Sequence, residues 1–231
     1  LYSETIYAFI RAYKIDVKNK MKLLAVGSHP DDIELACGGT LARAITEGHA
    51  ATMLVLASGY ANYKGENLRS NDTAQQDAEA SAKVLGAKLI MLNFESKRIR
   101  YDDVAIEAIN RVIDEEKPDY IFTQWMFDTH QDHRNTSLAT VSAGRHYENI
   151  FLYEPFPPSG RSYVGFKPQV YVDITESIEK KIQALRCHAS EVEKYGPHFL
   201  GSVVGRAQLR GYECGAEYAE AFELLRFKLQ L

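Results

Sequence analysis

Six stretches of the chain are apolar almost without interruption, and most are followed by a segment whose apolar residues recur at helical spacing. The runs are KLLAVGS (22–28), ATMLVLA (51–57), KLIMLNF (88–94), YIFTQW (120–125), NIFLYEP (149–155) and QVYVDI (169–174). Their continuity predicts strands covered on both faces. Helices are predicted over 37–48, 72–86, 103–117, 131–147, 175–194 and 216–229. Gly48 and Gly86 suit helix ends, and Pro118 stops the third helix. Thr175 caps the fifth ahead of a stripe of Ile178, Ile182 and Leu185. Strands alternating with helices predict an α/β fold with a mainly parallel sheet and helices on both faces. Crossovers are expected to be right-handed.

Two segments interrupt this pattern as long loops, 58–72 and 155–168, and long loops often cover functional sites. Residues 1–20 read as an N-terminal extension, with Ile6, Phe9, Ile10 and Tyr13 predicting a short amphipathic helix, and 21–231 as one domain. Arg11 and Lys14 break the first apolar run, which argues against a signal peptide. No apolar run reaches the length of a membrane span. A net charge of −4 predicts no nucleic-acid partner. Three scattered cysteines, Cys37, Cys187 and Cys214, form no disulfide framework and point to a reducing, cytoplasmic setting.

The candidate chemistry stands at strand ends, where open α/β sheets bind ligands. After the first run comes GSHPDDIELACGG (27–39). Pro30 biases His29 to extended backbone. Asp31 and Asp32 are adjacent, and two close carboxylates repel unless a cation lies between them or one takes up a proton. Alone, the stretch also reads as a helix cap with an acidic first turn. A second cluster, MFDTHQDHRNT (126–136), follows the fourth run. His130 and His133, three apart, share one side of a helical turn. Asp128 and Asp132 are placed to accept from imidazole N–H groups that do not meet a metal. Together the clusters predict a His/Asp/His site. Two imidazoles, one carboxylate and an open position suit catalytic Zn2+, with Fe2+ or another divalent ion as the alternative.

These residues resemble the LmbE-like family, also called the PIG-L deacetylases. Its H-P-D-D-x-E motif is matched by residues 29–34, within SHPDDIE (28–34), and its H-x-D-H motif by HQDH (130–133). The likeness continues through AEASAKVLGAK (78–88), EEKPDYIFT (115–123), VYVDITESIEKKIQALRCHAS (170–190) and RGYECGAEYAEAFELLR (210–226). It implies a Rossmann-like three-layer sandwich and metal-dependent removal of an N-acetyl group from an N-acetylglucosamine-type amino sugar. Carried over by position, it implies that His29, Asp32 and His133 bind zinc and that Asp31 is the general base. His130 then helps hold the oxyanion, with Asp132 setting its tautomer and charge. The chain departs from the family in two places. An arginine early in the second helix is replaced near Ala74, leaving Arg69 as a substitute, and a PDG turn is replaced within FESKRIR (94–100).

The expected partner is a small-molecule amino sugar, and homo-oligomerisation is left open. Glu34 is read as favouring a helix N-terminus, His188 as a candidate pocket residue, and Tyr153, Glu154 and the aromatics of SGYANY as candidate sugar contacts. Alternative readings are an amidase for another acylated amine (a thiol-sugar conjugate, an antibiotic or a nucleotide-linked sugar) and a non-catalytic sugar-binding domain. The absence of a GxGxxG pattern argues against a dinucleotide-dependent oxidoreductase.

Overall fold

The structure, a computed structural model, describes residues 20–61 and 67–228. The predicted N-terminal helix lies outside them, as do parts of the 58–72 loop. In chain order the elements are β1 (Lys22–Gly27), α1 (Asp32–Thr46), β2 (Ala50–Ala57), β3 (Tyr60–Ala61), β4 (Asn67–Arg69), α2 (Asn71–Leu85), β5 (Lys88–Phe94), α3 (Asp103–Glu116) and β6 (Tyr120–Thr123). Then follow α4 (Gln131–Ala143), β7 (Ile150–Tyr153), β8 (Val170–Asp173), α5 (Ile178–Arg186), α6 (Ala189–Tyr195), α7 (Phe199–Cys214) and β9 (Ala219–Arg226).

Seven strands form one sheet in the order β5-β2-β1-β6-β7-β9-β8. The first five run parallel, and β9 lies antiparallel to both neighbours. Alternation along β1 explains the layering. Leu23 and Ala25 join a core with Ile33, Cys37 and Leu41 of α1 on one face. Leu24 and Val26 join Ile109, Val112 and Ile113 of α3 and Ala139 of α4 on the other. Apolar side chains on both sides of each central strand are what a doubly covered sheet requires.

All six predicted strands form, but two are not covered on both faces. β5 and β8 are the sheet edges and are only half-buried. Residues 216–229, predicted helical, instead supply β9. Ala, Glu and Leu favour helix locally, yet β9 gains a backbone ladder on each side, and pairing overrides propensity. The 175–194 helix breaks at His188, whose ψ of 60° is non-helical. Its cap position is Ser177, while the Thr175 hydroxyl accepts from the Tyr218 N–H. Helix α7 was not anticipated, because three glycines depress its helix propensity. One of them is needed: a Cβ on Gly211 would lie 2.6 Å from the Glu217 carbonyl oxygen.

Helix α1 is kinked at Cys37 (φ −138°, ψ 16°). A kink strands backbone groups, and a buried ion pair takes them up. The Glu220 carboxylate accepts from the N–H groups of Gly39 (2.9 Å) and Thr40 (2.7 Å). Lys181 Nζ donates to Glu220 (2.5 Å) and to the Leu35 carbonyl (2.8 Å). Breaking a buried pair leaves an uncompensated charge. Glu220→Gln is therefore expected to destabilise by ~1–3 kcal/mol, lowering Tm by roughly 2–12 °C in a thermal melt. An unchanged Tm would mean that the pair does not hold the kink.

The chain leaves β1 toward β2 on one side and returns through β6 on the other. The carboxyl ends of β1 and β6 therefore flank the point where strand order reverses, the usual ligand crevice of such sheets.

Candidate metal centre and active site

Both sequence clusters meet at that crevice. His29, Asp31 and Asp32 follow β1, and Asp128, His130, Asp132 and His133 follow β6. A cavity of about 320 Å³ opens over them, and His29, Asp31, Asp32, Asp128, His130 and His133 line it. Asp132 is fully buried beneath.

Asp31 occupies the N-cap position of α1, but its carboxylate makes no capping bond. Its φ of 115° puts a non-glycine residue in positive-φ backbone, which costs ~1–3 kcal/mol and needs surrounding structure to impose it. Asp32 carries the structural bonds instead. Its Oδ2 accepts from the N–H groups of Ser28 (3.0 Å) and His29 (2.8 Å) and from Gln124 Nε2 (2.8 Å). Its Oδ1 faces His133 Nε2 at 3.3 Å. One oxygen is thus spent on the loop and the other is left toward the imidazole.

Ligand atoms of His29, Asp32 and His133 lie within 4.8 Å of one another, as do those of a second set, His29, His130 and Asp132. The first set fits a cation better. Both Asp132 oxygens are already engaged: Oδ2 accepts from Lys97 N–H (2.5 Å) and lies 2.9 Å from His29 Nε2, and Oδ1 accepts from Ile99 N–H (3.3 Å). The remote nitrogen of His133, Nδ1, lies 3.0 Å from Asp128 Oδ2, which orients the ring and leaves Nε2 toward Asp32.

Protonation follows from burial and neighbours. Burial lifts the Asp31 carboxyl to about 7, with the Asp32 charge adding to it. Burial would also raise Asp32, but His133 and His29 outweigh it and hold Asp32 well below the usual carboxylate range. His29 is lifted to about 10, because its bonds to Asp132 and Asp32 overcome desolvation. His133 is raised in the same way by Asp32 and Asp128. Carboxylates that favour protons on two imidazoles would also favour a divalent cation there, in competition with those protons. His130 behaves oppositely. Burial and the two neighbouring histidines lower it to about 4, so it is neutral. Its Nδ1 accepts from the Asp132 main-chain N–H at 3.2 Å, which puts the ring proton on Nε2.

The structure departs from the expected role of Asp132 at this point. Its carboxylate was expected to set the tautomer of His130, but it lies on His29, and its backbone N–H is what meets His130. Glu34 stands at the helix N-terminus as expected, and it has further partners. It is buried in the first turn of α1, where it accepts from Ser81 Oγ (2.5 Å) and His188 Nε2 (2.8 Å). His188 is buried beside Glu34 and is absent from the cavity wall. Arg69, Tyr153 and Glu154 do line the cavity, with Trp125, Phe156 and Tyr195. Tyr195, from α6, was missed because no motif marks it. The side chains of Tyr60 and Ala61 lie outside what is described.

Residues 24–144 match the PIG-L family, described as GlcNAc-PI de-N-acetylase. The chain is 33% identical to the uncharacterized deacetylase YaiS of Escherichia coli over 74% of its own length and 93% of that protein. It is 28% identical to the diacetylchitobiose deacetylase of Thermococcus kodakarensis, covering 76% of this chain and 71% of the relative. Among solved structures, the conserved protein TT1542 of Thermus thermophilus superposes with a TM-score of 0.78 at 25% identity, covering 91% and 97% of the two chains. A 4-carboxy-2-hydroxymuconate hydratase of Pseudomonas putida shares the fold, with a TM-score of 0.75 at 19% identity over 91% and 98%.

Proposed function

This chain belongs to the PIG-L family, and on that premise we propose that it is a metal-dependent N-deacetylase of an N-acetylglucosamine-type sugar or its conjugate. The observation that carries the reading is the division of labour between the two adjacent aspartates. Asp32 is held ionised among imidazoles, where His29 and His133 would complete a cation site. The Asp31 side chain makes no capping bond, lines the cavity, and is lifted by burial to about 7, the range in which a general base serves at neutral pH.

Zn2+ suits the two imidazoles and one carboxylate, with Fe2+ as a second candidate. When bound, the ion supplies Lewis acidity toward an acyl oxygen and toward water. The protein's residues do the rest. Asp31 accepts a proton from the attacking water. His130, neutral with its proton on Nε2, donates to the oxygen on which charge develops; one such donor contributes ~3 kcal/mol. Asp31 returns its proton to the departing nitrogen, since an amine leaves only when protonated. Acetate and a free amino sugar result. Cys37 takes no part: it is fully buried in the core.

A hydratase reading has the shared fold with the P. putida enzyme in its favour. The two are separated by assaying the metal-loaded protein for acetate release from N-acetylglucosamine, diacetylchitobiose and anionic N-acetylglucosamine conjugates. Acetate with stoichiometric free amine is expected from at least one. Full metal loading without amine release from any acylated amine would overturn the deacetylase assignment.

A further inference from the structure

The left-handed backbone of Asp31 needs something to hold it, and a buried polar chain reaches the peptide that precedes it. The Pro30 carbonyl and the Asp31 N–H belong to one peptide plane. The φ of Asp31 sets how that plane stands relative to its side chain, so a bond to the Pro30 oxygen restrains φ directly. Arg69, at the end of β4, makes that bond from Nη1 at 3.2 Å. Its Nη2 donates to Asp77 Oδ2 (2.7 Å) and to His188 Nδ1 (2.8 Å). A guanidinium only donates, so His188 Nδ1 is an acceptor and its proton sits on Nε2, which meets Glu34 Oε1 at 2.8 Å. Glu34, Arg69 and His188 are all buried, and they come from α1, β4 and the α5–α6 junction. Three segments are thus linked in one chain of bonds, and Arg69 at its end meets the peptide group beside the base.

We propose that Glu34, His188 and Arg69 form a positioning relay that holds the Pro30–Asp31 peptide, and with it the Asp31 carboxylate, in its working orientation. The proposal rests on Asp31 acting as the base. It gives the glutamate five residues after His29 a role in the reaction: Glu34 fixes the His188 tautomer, His188 aims the guanidinium, and the guanidinium holds the strained turn. It also separates Arg69 from a substrate anchor, although Arg69 lines the cavity. An anchor acts mainly on KM, whereas a relay to the base acts on kcat.

The test is a kinetic series on the metal-loaded protein with Arg69→Lys, His188→Ala and His188→Gln. Lysine keeps the charge but cannot reach Pro30, Asp77 and His188 from one planar fork. Arg69→Lys is expected to lower kcat at least 10-fold with KM within twofold and metal Kd unchanged. His188→Ala, which touches no cavity surface, is expected to do the same, and His188→Gln to restore part of the loss. In an Asp31→Asn background Arg69→Lys is expected to cause no further loss, because the group it positions is gone. A crystal structure of Arg69→Lys should show Asp31 relaxed from positive φ. Full kcat in the variants, a loss confined to KM, or an equal loss in the Asp31→Asn background would overturn the relay. Full activity of Asp31→Asn itself would instead remove the base assignment on which the relay rests.

Discussion

Asp31→Asn is expected to lower kcat by ~10²–10⁴-fold, the usual contribution of a positioned base, while metal content stays at the wild-type level. Asparagine keeps the size of the side chain but cannot take a proton from water or return one to nitrogen. Asp32, His29 and His133 are untouched, so the cation site persists. The same change is expected to stabilise the metal-free protein at high pH. The folded pKa of Asp31 is raised from 3.8 to about 7. A raised carboxyl favours folding most when protonated, below its unfolded value, and that contribution is lost as pH rises through the folded value. Above pH 7 the native fold holds an ionised, half-buried carboxylate beside Asp32. The Tm of Asp31→Asn should therefore exceed wild type at pH 8 by at least about 2 °C, the shift that ~1 kcal/mol gives at this chain length, and the two should converge near pH 4. Loss of turnover with a gain in stability is the signature of a strained functional group. A variant that is both inactive and less stable at pH 8 would point to a structural role for Asp31.

His133→Ala is expected to abolish both turnover and metal-dependent stabilisation. A ligand that binds only the native state stabilises by ~2.7 kcal/mol at one hundred times its Kd. For wild type that corresponds to a rise in Tm of roughly 5–11 °C on adding Zn2+. Without His133 only His29 and Asp32 of the favoured set remain, and the rise should vanish. Asp128→Asn provides the graded comparison. It keeps all three ligands and disturbs only the carboxylate 3.0 Å from His133 Nδ1, so affinity should fall by ~10–100-fold. Differential scanning fluorimetry across a zinc titration reads both. If His133→Ala keeps the wild-type shift, the cation sits on the second set, His29, His130 and Asp132.

Much of this site was legible in one dimension because its two halves are local. HPDD and HQDH each follow an apolar run, and a strand followed by a helix in a parallel sheet delivers both to the same edge. The six strands were legible for the same reason: long apolar runs have few other places to go. The departures have physical causes. Residues 219–226 have helical propensity and form a strand, because β7 and β8 each offer it a ladder. Helix α7 carries three glycines and forms nevertheless.

The sequence by itself determined the chemistry on offer: which side chains stand at which strand ends, and that a carboxylate pair flanked by histidines needs a cation or a proton. Only the tertiary structure decided how that chemistry is shared out. It placed the Asp132 carboxylate on His29 and not on His130, and it left the Asp31 carboxylate without a capping bond at the N-cap position. It also joined Glu34 to His188, 154 positions away. The reason is geometric. Periodicity and motifs report neighbours along a strand or helix, whereas a hydrogen-bond partner or a pKa is set by whatever the fold packs within a few ångströms, however far away it lies in the chain.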